Sequence, residues 1–372
     1  MKKLLLFLLV LFALLTTVAW IRYGGGEPYP DLSTTPLLGN AEIEAVLEYP
    51  EPIGNVAVSA DGRVFFTVHP DARAPGNRLL EYVDGASVPY PSVELQLDLF
   101  DTVLGVVIDR QNRLWTIDHG NHGFRTPRLI GIDLESGKVL RKHDLGPDIA
   151  PIGSFLQDLQ ISADGRTAII ADASIWRKSP ALVVYDIETG DARRVLERDR
   201  SVSAEKYLVR SQDRQLSYFG GVFSLRGGVD GIALGPEWLH YGALTGSGLY
   251  RIKLADLLAG ELPPEQLAAR VERVATKPLS DGFSIDQSGN VYVTDVEHNS
   301  VFIFDASAGA TTLIQSDQIR WPDSLSFGPD GWLYVADSAL PELVLKSREH
   351  IEAQKPYKIF RFRPGNEGMP GQ

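Results

Sequence analysis

The sequence contains no cysteine among its 372 residues. A disulfide, a thiolate metal site and a catalytic thiol are therefore excluded, and so is the lipid-acceptor cysteine of a lipoprotein. The sequence also lacks a Gly-x-Ser-x-Gly elbow, a phosphate-binding loop and a dinucleotide fingerprint. Nothing in it therefore supports serine-hydrolase, kinase or dehydrogenase chemistry.

Positive charge is comparatively scarce. The chain has 36 Lys and Arg residues against 48 Asp and Glu, a formal net charge of -12. A surplus of this sign repels phosphate backbones and anionic lipid surfaces, so we expect no nucleic-acid partner. With 44% hydrophobic residues, however, the chain can bury a large core.

One long apolar run stands at the start of the chain. Lys2 and Lys3 precede a nearly continuous apolar stretch that ends at Trp20, and three glycines follow at 24–26. This pattern is typical of an export signal, so we expect an extracytoplasmic location. Two fates stay open for residues 1–23: cleavage after the small-residue motif at 17–19, or retention as a membrane anchor. Membrane contact is expected only through this segment, and only if it is retained.

Residues 24–40 form a Pro-rich linker, and a repeated pattern begins after it. The pattern is an apolar strand, a two-residue turn, a second apolar strand ending in a polar residue, and a loop. The spacing between copies, roughly 40 to 70 residues, is typical of propeller blades. The copies lie at 53–69, 104–119, 156–172, 229–242, 280–295 and 322–337.

Six copies predict an all-β fold, a six-bladed β-propeller over residues 41–372. A β-sandwich would have strands at a similar local spacing without the long-period repeat. We expect residues 43–49 to close the ring as an N-terminal strand that pairs with residues 357–362 of the final blade. The insertion at residues 198–228, which enlarges the third step, is interpreted as either a functional lid or a disordered excursion.

Several segments resemble the yellow/major royal jelly family in order and spacing: GRVFFTVHP at 62–70, NRLWTIDHG at 112–120 and GVDGIALGPEWLHYG at 228–242. The resemblance implies a propeller. It also implies either a dopachrome-type tautomerase activity, known for some relatives, or a non-catalytic binding role.

A wider resemblance is to the gluconolactonase and regucalcin propellers, which hold a divalent metal on the central axis. Gln157-Asp158, Asp230-Gly231 and Asp281-Gly282 resemble their ligand segments. Their first-blade glutamate has no counterpart here, since Asn55 lies nearest, and that departure puts the lactonase interpretation in doubt.

Four aspartates occupy equivalent positions at the starts of innermost strands, which meet at one mouth of a propeller channel. Crowded carboxylates take up protons unless a cation neutralises them, and oxygen ligands suit Ca²⁺, Mg²⁺ or Mn²⁺. We therefore predict a divalent-cation site, most simply for calcium. The alternative is that an Asp before Gly only forms a turn. The four predicted ligands are Asp158, Asp230, Asp281 and Asp323.

His119 and His122 follow the second strand of blade 2 and are predicted to lie at the same mouth. Either could act as a general base, because histidine titrates near neutrality. His69 and His240 end the corresponding strands of blades 1 and 4. A zinc site at the pair is disfavoured because no third ligand is nearby. Trp176 and Trp321 flank mouth loops and are candidates to stack on a ligand.

Two function classes follow. The first is a metal-dependent enzyme, a lactone hydrolase or tautomerase, acting on a small molecule at the channel mouth. The second is a non-catalytic propeller that binds a small ligand or a partner. In both cases we expect a monomer.

Overall fold

The structure is a computed structural model, and it describes residues 1–260, 262–305, 309–369 and 371. Six antiparallel four-stranded sheets dominate it, and their innermost strands are neighbours in a ring. The predicted six-bladed propeller is confirmed. Blade 1 comprises Ile53–Val58, Val64–Val68, Leu79–Val83 and Ala86–Pro89; blade 2 Val103–Ile108, Arg113–Asp118, Arg128–Asp133 and Val139–Asp144; blade 3 Leu156–Ile161, Thr167–Asp172, Ala181–Asp186 and Ala192–Val195. Blade 4 comprises Val229–Leu234, Trp238–Ala243, Gly248–Lys253 and Glu272–Thr276; blade 5 Phe283–Ile285, Val291–Asp295, Ser300–Asp305 and Gly309–Gln315; blade 6 Pro322–Phe327, Leu333–Asp337, Tyr357–Phe362 and Glu44–Tyr49.

The innermost strands are buried on both faces, which is why they are almost continuously apolar. Every residue of Val103–Ile108 is buried, for example. Tight turns join the first and second strands, and Gly62 and Gly289 adopt the left-handed conformation there, with φ of 87° and 86°. Glycine reaches that conformation without steric cost. All the turns of this type lie at one end of the channel, and the innermost strands begin at the other end, the mouth.

Blade 6 combines strands from both ends of the sequence. Glu44–Tyr49 pairs antiparallel with Tyr357–Phe362, with Leu47 opposite Ile359. This is the pairing expected from the sequence. Leu47 is only 3% exposed and packs into a core cluster with Ile53 and Tyr357.

Two glycines allow neighbouring blades to approach closely at the mouth. A Cβ atom on Gly282 would lie 2.6 Å from the carbonyl oxygen of Asp323, and one on Gly231 would overlap that of Asp281. Neither glycine is in the left-handed region. Glycine is therefore required at 231 and 282 by the backbone of the next blade rather than by a left-handed turn.

The described helices are short except at the N-terminus. The helix Lys2–Tyr23 has no buried residue, and its most apolar window has a mean hydropathy of 2.8. It is long and apolar enough to cross a membrane, and a signal sequence has the same properties. The other α-helices are Val93–Leu99, Gly120–Gly123, Leu254–Leu258, Pro264–Ala268 and Arg348–Ala353, and the 3₁₀ turns are Asn40–Glu42, Pro70–Ala72, Phe219–Gly221, Pro329–Gly331 and Leu340–Glu342.

The insertion, residues 198–228, is an ordered set of two-residue strands. Its side chains Val209, Leu216, Phe223 and Leu225 pack in one core cluster with three residues from loops at the mouth, Phe155, Leu279 and Trp321. Of the two interpretations left open, a cover over the mouth agrees with this packing. The short strands are Tyr207–Leu208, which pairs with Glu27–Pro28, Arg210–Ser211, which pairs with Arg214–Gln215, and Ser217–Tyr218, which pairs with Phe223–Ser224.

Candidate functional site at the channel mouth

The four predicted aspartates lie together. All of them line one axial cavity with a volume of about 30 Å³, which also receives Asn55 from blade 1. That volume holds a water molecule or an ion rather than an organic substrate. We call Asp158, Asp230, Asp281 and Asp323 the carboxylate ring.

Hydrogen bonds fix the orientation of three members of the ring. Asp281 Oδ2 accepts from Trp321 Nε1 at 2.6 Å, and Asp230 Oδ2 accepts from Gln157 Nε2 at 3.0 Å. Asp158 accepts from its neighbour's backbone N–H at 2.8 Å and from that of Ile232, in blade 4, at 3.2 Å. Three of these four bonds have a donor in a neighbouring blade, so the geometry of the carboxylate ring depends on the packing of blade 3 with blade 4 and of blade 5 with blade 6.

Burial dominates the electrostatics of the ring. It raises the pKa of Asp158 and of Asp281 to about 7. Burial, and then repulsion by the other carboxylates, raises the pKa of Asp230 and Asp323 well above the ordinary range. A carboxyl titrating near 7 can donate or accept a proton at neutral pH.

Lys277 is a fully buried cation beside the ring that sequence reasoning did not identify. Burial lowers its pKa to about 7, opposed chiefly by the charge of Asp230. Its Nζ donates to the carbonyl oxygens of Ala243 and Pro278 and to Ser280 Oγ, at 2.7 to 3.0 Å. In the sequence Lys277 is only a lysine that precedes a strand. Lysines at the surface occupy such positions too, so the sequence did not distinguish it from them.

The all-oxygen chemistry of the ring fits a hard divalent cation. The positions of the side chains fit it less well. Within the described part of the chain, no three His, Asp or Glu side chains converge closely enough to hold a metal ion. The predicted metal role of the ring therefore stays a prediction.

The predicted histidine pair lies at the mouth, but away from the ring's centre. His119 Nδ1 accepts the backbone N–H of His122 at 3.0 Å, and both rings pack against Phe155. Burial lowers the pKa of His119 well below its usual value, and lowers that of His122 less. His119 Nε2 and His122 Nδ1 are buried without a hydrogen-bond partner. Their catalytic role stays a prediction.

His69 lies nearer to the ring. Its Nε2 is 3.9 Å from Asp323 Oδ2. Burial lowers the pKa of His69, so its imidazole is neutral over more of the physiological pH range. His69 also lines a cavity of about 310 Å³ between blades 1 and 2, together with Arg73 and Arg125. His69 therefore lies between the carboxylate ring and a cavity that is large enough for a small substrate.

The two candidate tryptophans differ. Trp321 is fully buried, so its role as a surface on which a ligand stacks is wrong; it instead supplies the hydrogen bond to Asp281. Trp176 is 42% exposed and stacks on Phe223 of the insertion, with ring centroids 4.7 Å apart.

The aspartates that end second strands support loops. Asp172 accepts the backbone N–H of Phe155 and forms an ion pair with Arg194 at 2.8 Å. Asp337 accepts from Trp321 in the same way and pairs with Arg320 at 2.8 Å. They fix the segments that lead into the innermost strands.

The insertion covers this site. Arg214 forms an ion pair with Glu342 of blade 6, and Gln212 Nε2 donates to the carbonyl oxygen of Arg320 at 3.3 Å. Beneath it Asp230, Asp281 and Asp323 are buried, and Asp158 is half-buried. A substrate must therefore displace the insertion or enter beside it.

Comparisons with known proteins agree with this architecture. A family model for the major royal jelly proteins matches residues 102–355, more than half of the chain. The chain belongs to the major royal jelly protein family. No curated protein matches the sequence significantly. The family match confirms the resemblance seen in blades 2 and 4.

Solved structures confirm the fold of this family member. A gluconolactonase from Xanthomonas campestris is 14% identical, with 94% of this chain and 98% of that chain covered and a TM-score of 0.53. A luciferin-regenerating enzyme is 11% identical, with 88% and 97% covered and a TM-score of 0.57. Identities this low show the shared fold alone.

Proposed function

We propose that this major royal jelly family member is an exported hydrolase that opens a small lactone at the carboxylate ring. The observation that carries the proposal is the convergence of four acidic side chains, three of them buried, around one axial cavity. Buried carboxylates are costly for folding, and groups with shifted pKa values in a cavity are typical of active sites. The likeness in fold to a gluconolactonase supports the choice of reaction.

Two states of the ring suit different chemistry. Without a cation, Asp158 or Asp281, with a pKa of about 7, supplies a carboxyl that can exchange a proton with a reacting water. With a divalent cation, for which we propose calcium, the ring would be fully ionised and would hold the ion through its free carboxylate oxygens. A bound cation polarises a carbonyl and acidifies a water or hydroxyl, which serves lactone hydrolysis and tautomerisation alike.

A neutral histidine completes the proposed site as general base. His69 is the nearest to the ring, at 3.9 Å from Asp323. His119 and His122 are farther along the same mouth, and the unpartnered His119 Nε2 is available to a ligand that enters there. We expect His69→Gln to lower kcat/KM by about 10²-fold or more if it transfers the proton. His119→Gln should have the larger effect if the pair is catalytic instead.

The test combines metal analysis with activity. The full chain in detergent is assayed for bound metal by elemental mass spectrometry, and for turnover of lactones and tautomerisable carbonyls with chelator or added Ca²⁺. We expect one equivalent of a divalent ion, a chelator-sensitive melting temperature and lactone turnover. Asp230→Asn should remove all three. Asp164→Asn, in an exposed turn of blade 3 where the carboxylate bonds only locally, is the matched control.

A binding protein is the second candidate function. The specific observation in its favour is that the axial cavity at the carboxylate ring has a volume of only about 30 Å³, which is too small for an organic substrate. A metal-free protein with no turnover, whose melting temperature is indifferent to chelator and to Asp230→Asn, would favour this function and contradict the hydrolase.

A further inference from the structure

Exposed apolar side chains concentrate on the loops at the mouth. Isolated apolar residues are ordinary on protein surfaces, but a set on one face indicates a partner. The exposed apolar residues outside this face and the N-terminal helix are spread over several places: Val83, Val88, Leu140 and Val274 on outer strands, Val93 and Leu97 on the helix Val93–Leu99, and Leu37 in the linker. The mouth set is Phe124 (69% exposed), Ile152 (66%), Trp176 (42%), Phe219 (74%) and Leu345 (60%).

The N-terminal helix ends on this same face. Tyr23 donates its hydroxyl to the carbonyl oxygen of Trp176, and Arg22 donates to that of Arg177, both at 2.8 Å. The Tyr23 ring also lies 6.2 Å from Phe223 of the insertion. The helix itself has no buried residue. An apolar helix that leaves from the mouth therefore holds the mouth close to any membrane that it crosses.

Cations surround the end of the helix. Lys178 donates to the carbonyl oxygen of Arg226 at 3.0 Å, and Arg226 donates to that of Gly24 at 2.9 Å. With Arg22 they make a group of three positive charges whose hydrogen bonds run to carbonyl oxygens and one hydroxyl rather than to carboxylates. Burial, followed by repulsion from Arg226 and Arg22, lowers the pKa of Lys178 to about 8.

We propose that the mouth face lies against a lipid bilayer, with the N-terminal helix retained as its anchor. The five apolar side chains enter the interface, and the exposed Arg22 and the half-buried Lys178 meet lipid phosphates, while the buried Arg226 fixes the end of the helix. Amphipathic ligands would then reach the insertion from the interface; that consequence, unlike the docking, rests on the proposed function.

The absence of cysteine allows a direct test in the full chain. Phe219→Cys and Phe124→Cys are labelled with an environment-sensitive fluorophore and reconstituted in vesicles of phosphatidylcholine and phosphatidylglycerol. Ser288→Cys, in an exposed hairpin turn at the opposite end of the channel, is the matched control. Vesicles with nitroxide-labelled acyl chains should reduce emission from both mouth labels by about twofold or more and leave the control unchanged.

Equal quenching at all three sites, or at none, would overturn the proposal. A blue-shifted emission at the mouth sites that is insensitive to nitroxide lipid would also overturn it, because a second copy of the chain would then cover the apolar loops. None of these readouts uses turnover, so the docking surface and the hydrolase can fail separately.

Discussion

At the scale of single residues, the ring shows how far sequence reasoning reaches. Asp158, Asp230, Asp281 and Asp323 were predicted to converge because equivalent strand starts meet at one mouth, and they line one cavity. The part played by Trp321 could not be predicted, because its hydrogen bond to Asp281 spans two blades. Lys277 was missed for a similar reason: only the folded structure reveals that it is buried.

The pKa of Asp281 is raised from its ordinary value of 3.8 to about 7 in the folded protein, and this shift predicts how stability depends on pH. Between these values the native state holds the extra proton, so the contribution of Asp281 to stability is present at low pH and is lost as pH rises to 7. In chelator, we expect wild-type stability relative to Asp281→Asn to fall by up to about 1.4 kcal/mol per pH unit over this window.

Denaturant unfolding of both proteins from pH 4 to pH 8 measures this difference. Asp164 is the control, because its hydrogen bond to Ser162 lowers its pKa instead. The difference in unfolding free energy between the wild type and Asp164→Asn should therefore not fall as the pH rises over the same window. Added Ca²⁺ should flatten the Asp281 difference if the ring binds it. A difference that does not change with pH in chelator would contradict the raised pKa.

At the scale of elements, the blades were predictable and the insertion was not. Each blade repeats alternating apolar strands and a glycine turn, a local pattern that fixes strand type and position. The insertion has only two-residue strands, and its order comes from packing Leu216 and Phe223 against loops from other blades. No local periodicity reports such contacts, so a lid and a disordered segment were equally consistent with the sequence.

Because the innermost strands of blades 5 and 6 approach each other closely at Gly282, we expect even the substitution Gly282→Ala to destabilise the protein. Gly282→Ala places a methyl group 2.6 Å from the carbonyl oxygen of Asp323 and 2.7 Å from Ser324 Cα, and the backbone cannot yield without parting two blades. We expect a loss of about 3 kcal/mol in unfolding free energy. At Gly235 the nearest atom is the flexible end of Ile285, at 3.2 Å. Gly235→Ala should therefore cost less than Gly282→Ala when both are melted side by side.

The ion pair between Arg214 and Glu342 predicts how the insertion opens. Arg214→Ala should accelerate hydrogen exchange at residues 209–225 because it removes a tie to blade 6, while the propeller remains folded. Arg251→Ala, which breaks an outer ion pair with Glu272 in blade 4, is the control. Mass spectrometry of exchanged peptides compares the two. Unchanged exchange in Arg214→Ala would mean that the apolar packing and the remaining hydrogen bonds hold the insertion without this ion pair.

At the scale of the whole molecule, the substitution of one buried side chain tests whether the strand that closes the propeller contributes to global stability. Leu47 is 3% exposed in the strand that residues 44–49 add to blade 6. Leu47→Ala should cost about 2 to 5 kcal/mol in global unfolding, since a large core side chain is removed. Glu48→Ala, on the exposed side of the same strand, should cost far less, because it loses only a surface ion pair with Lys358. A similar cost for both variants in denaturant unfolding would show that the strand frays independently.

The pairing of residues 44–49 with residues 357–362 in one sheet also determines when blade 6 can form during synthesis. The first of these segments leaves the ribosome early and must wait, unpaired, for a partner that emerges near the end of synthesis. Blades 1 to 5 can form meanwhile, but blade 6 keeps an open edge, and open edges promote aggregation. Prematurely terminated chains should therefore be recognised as incomplete and degraded, however many of their blades have already folded.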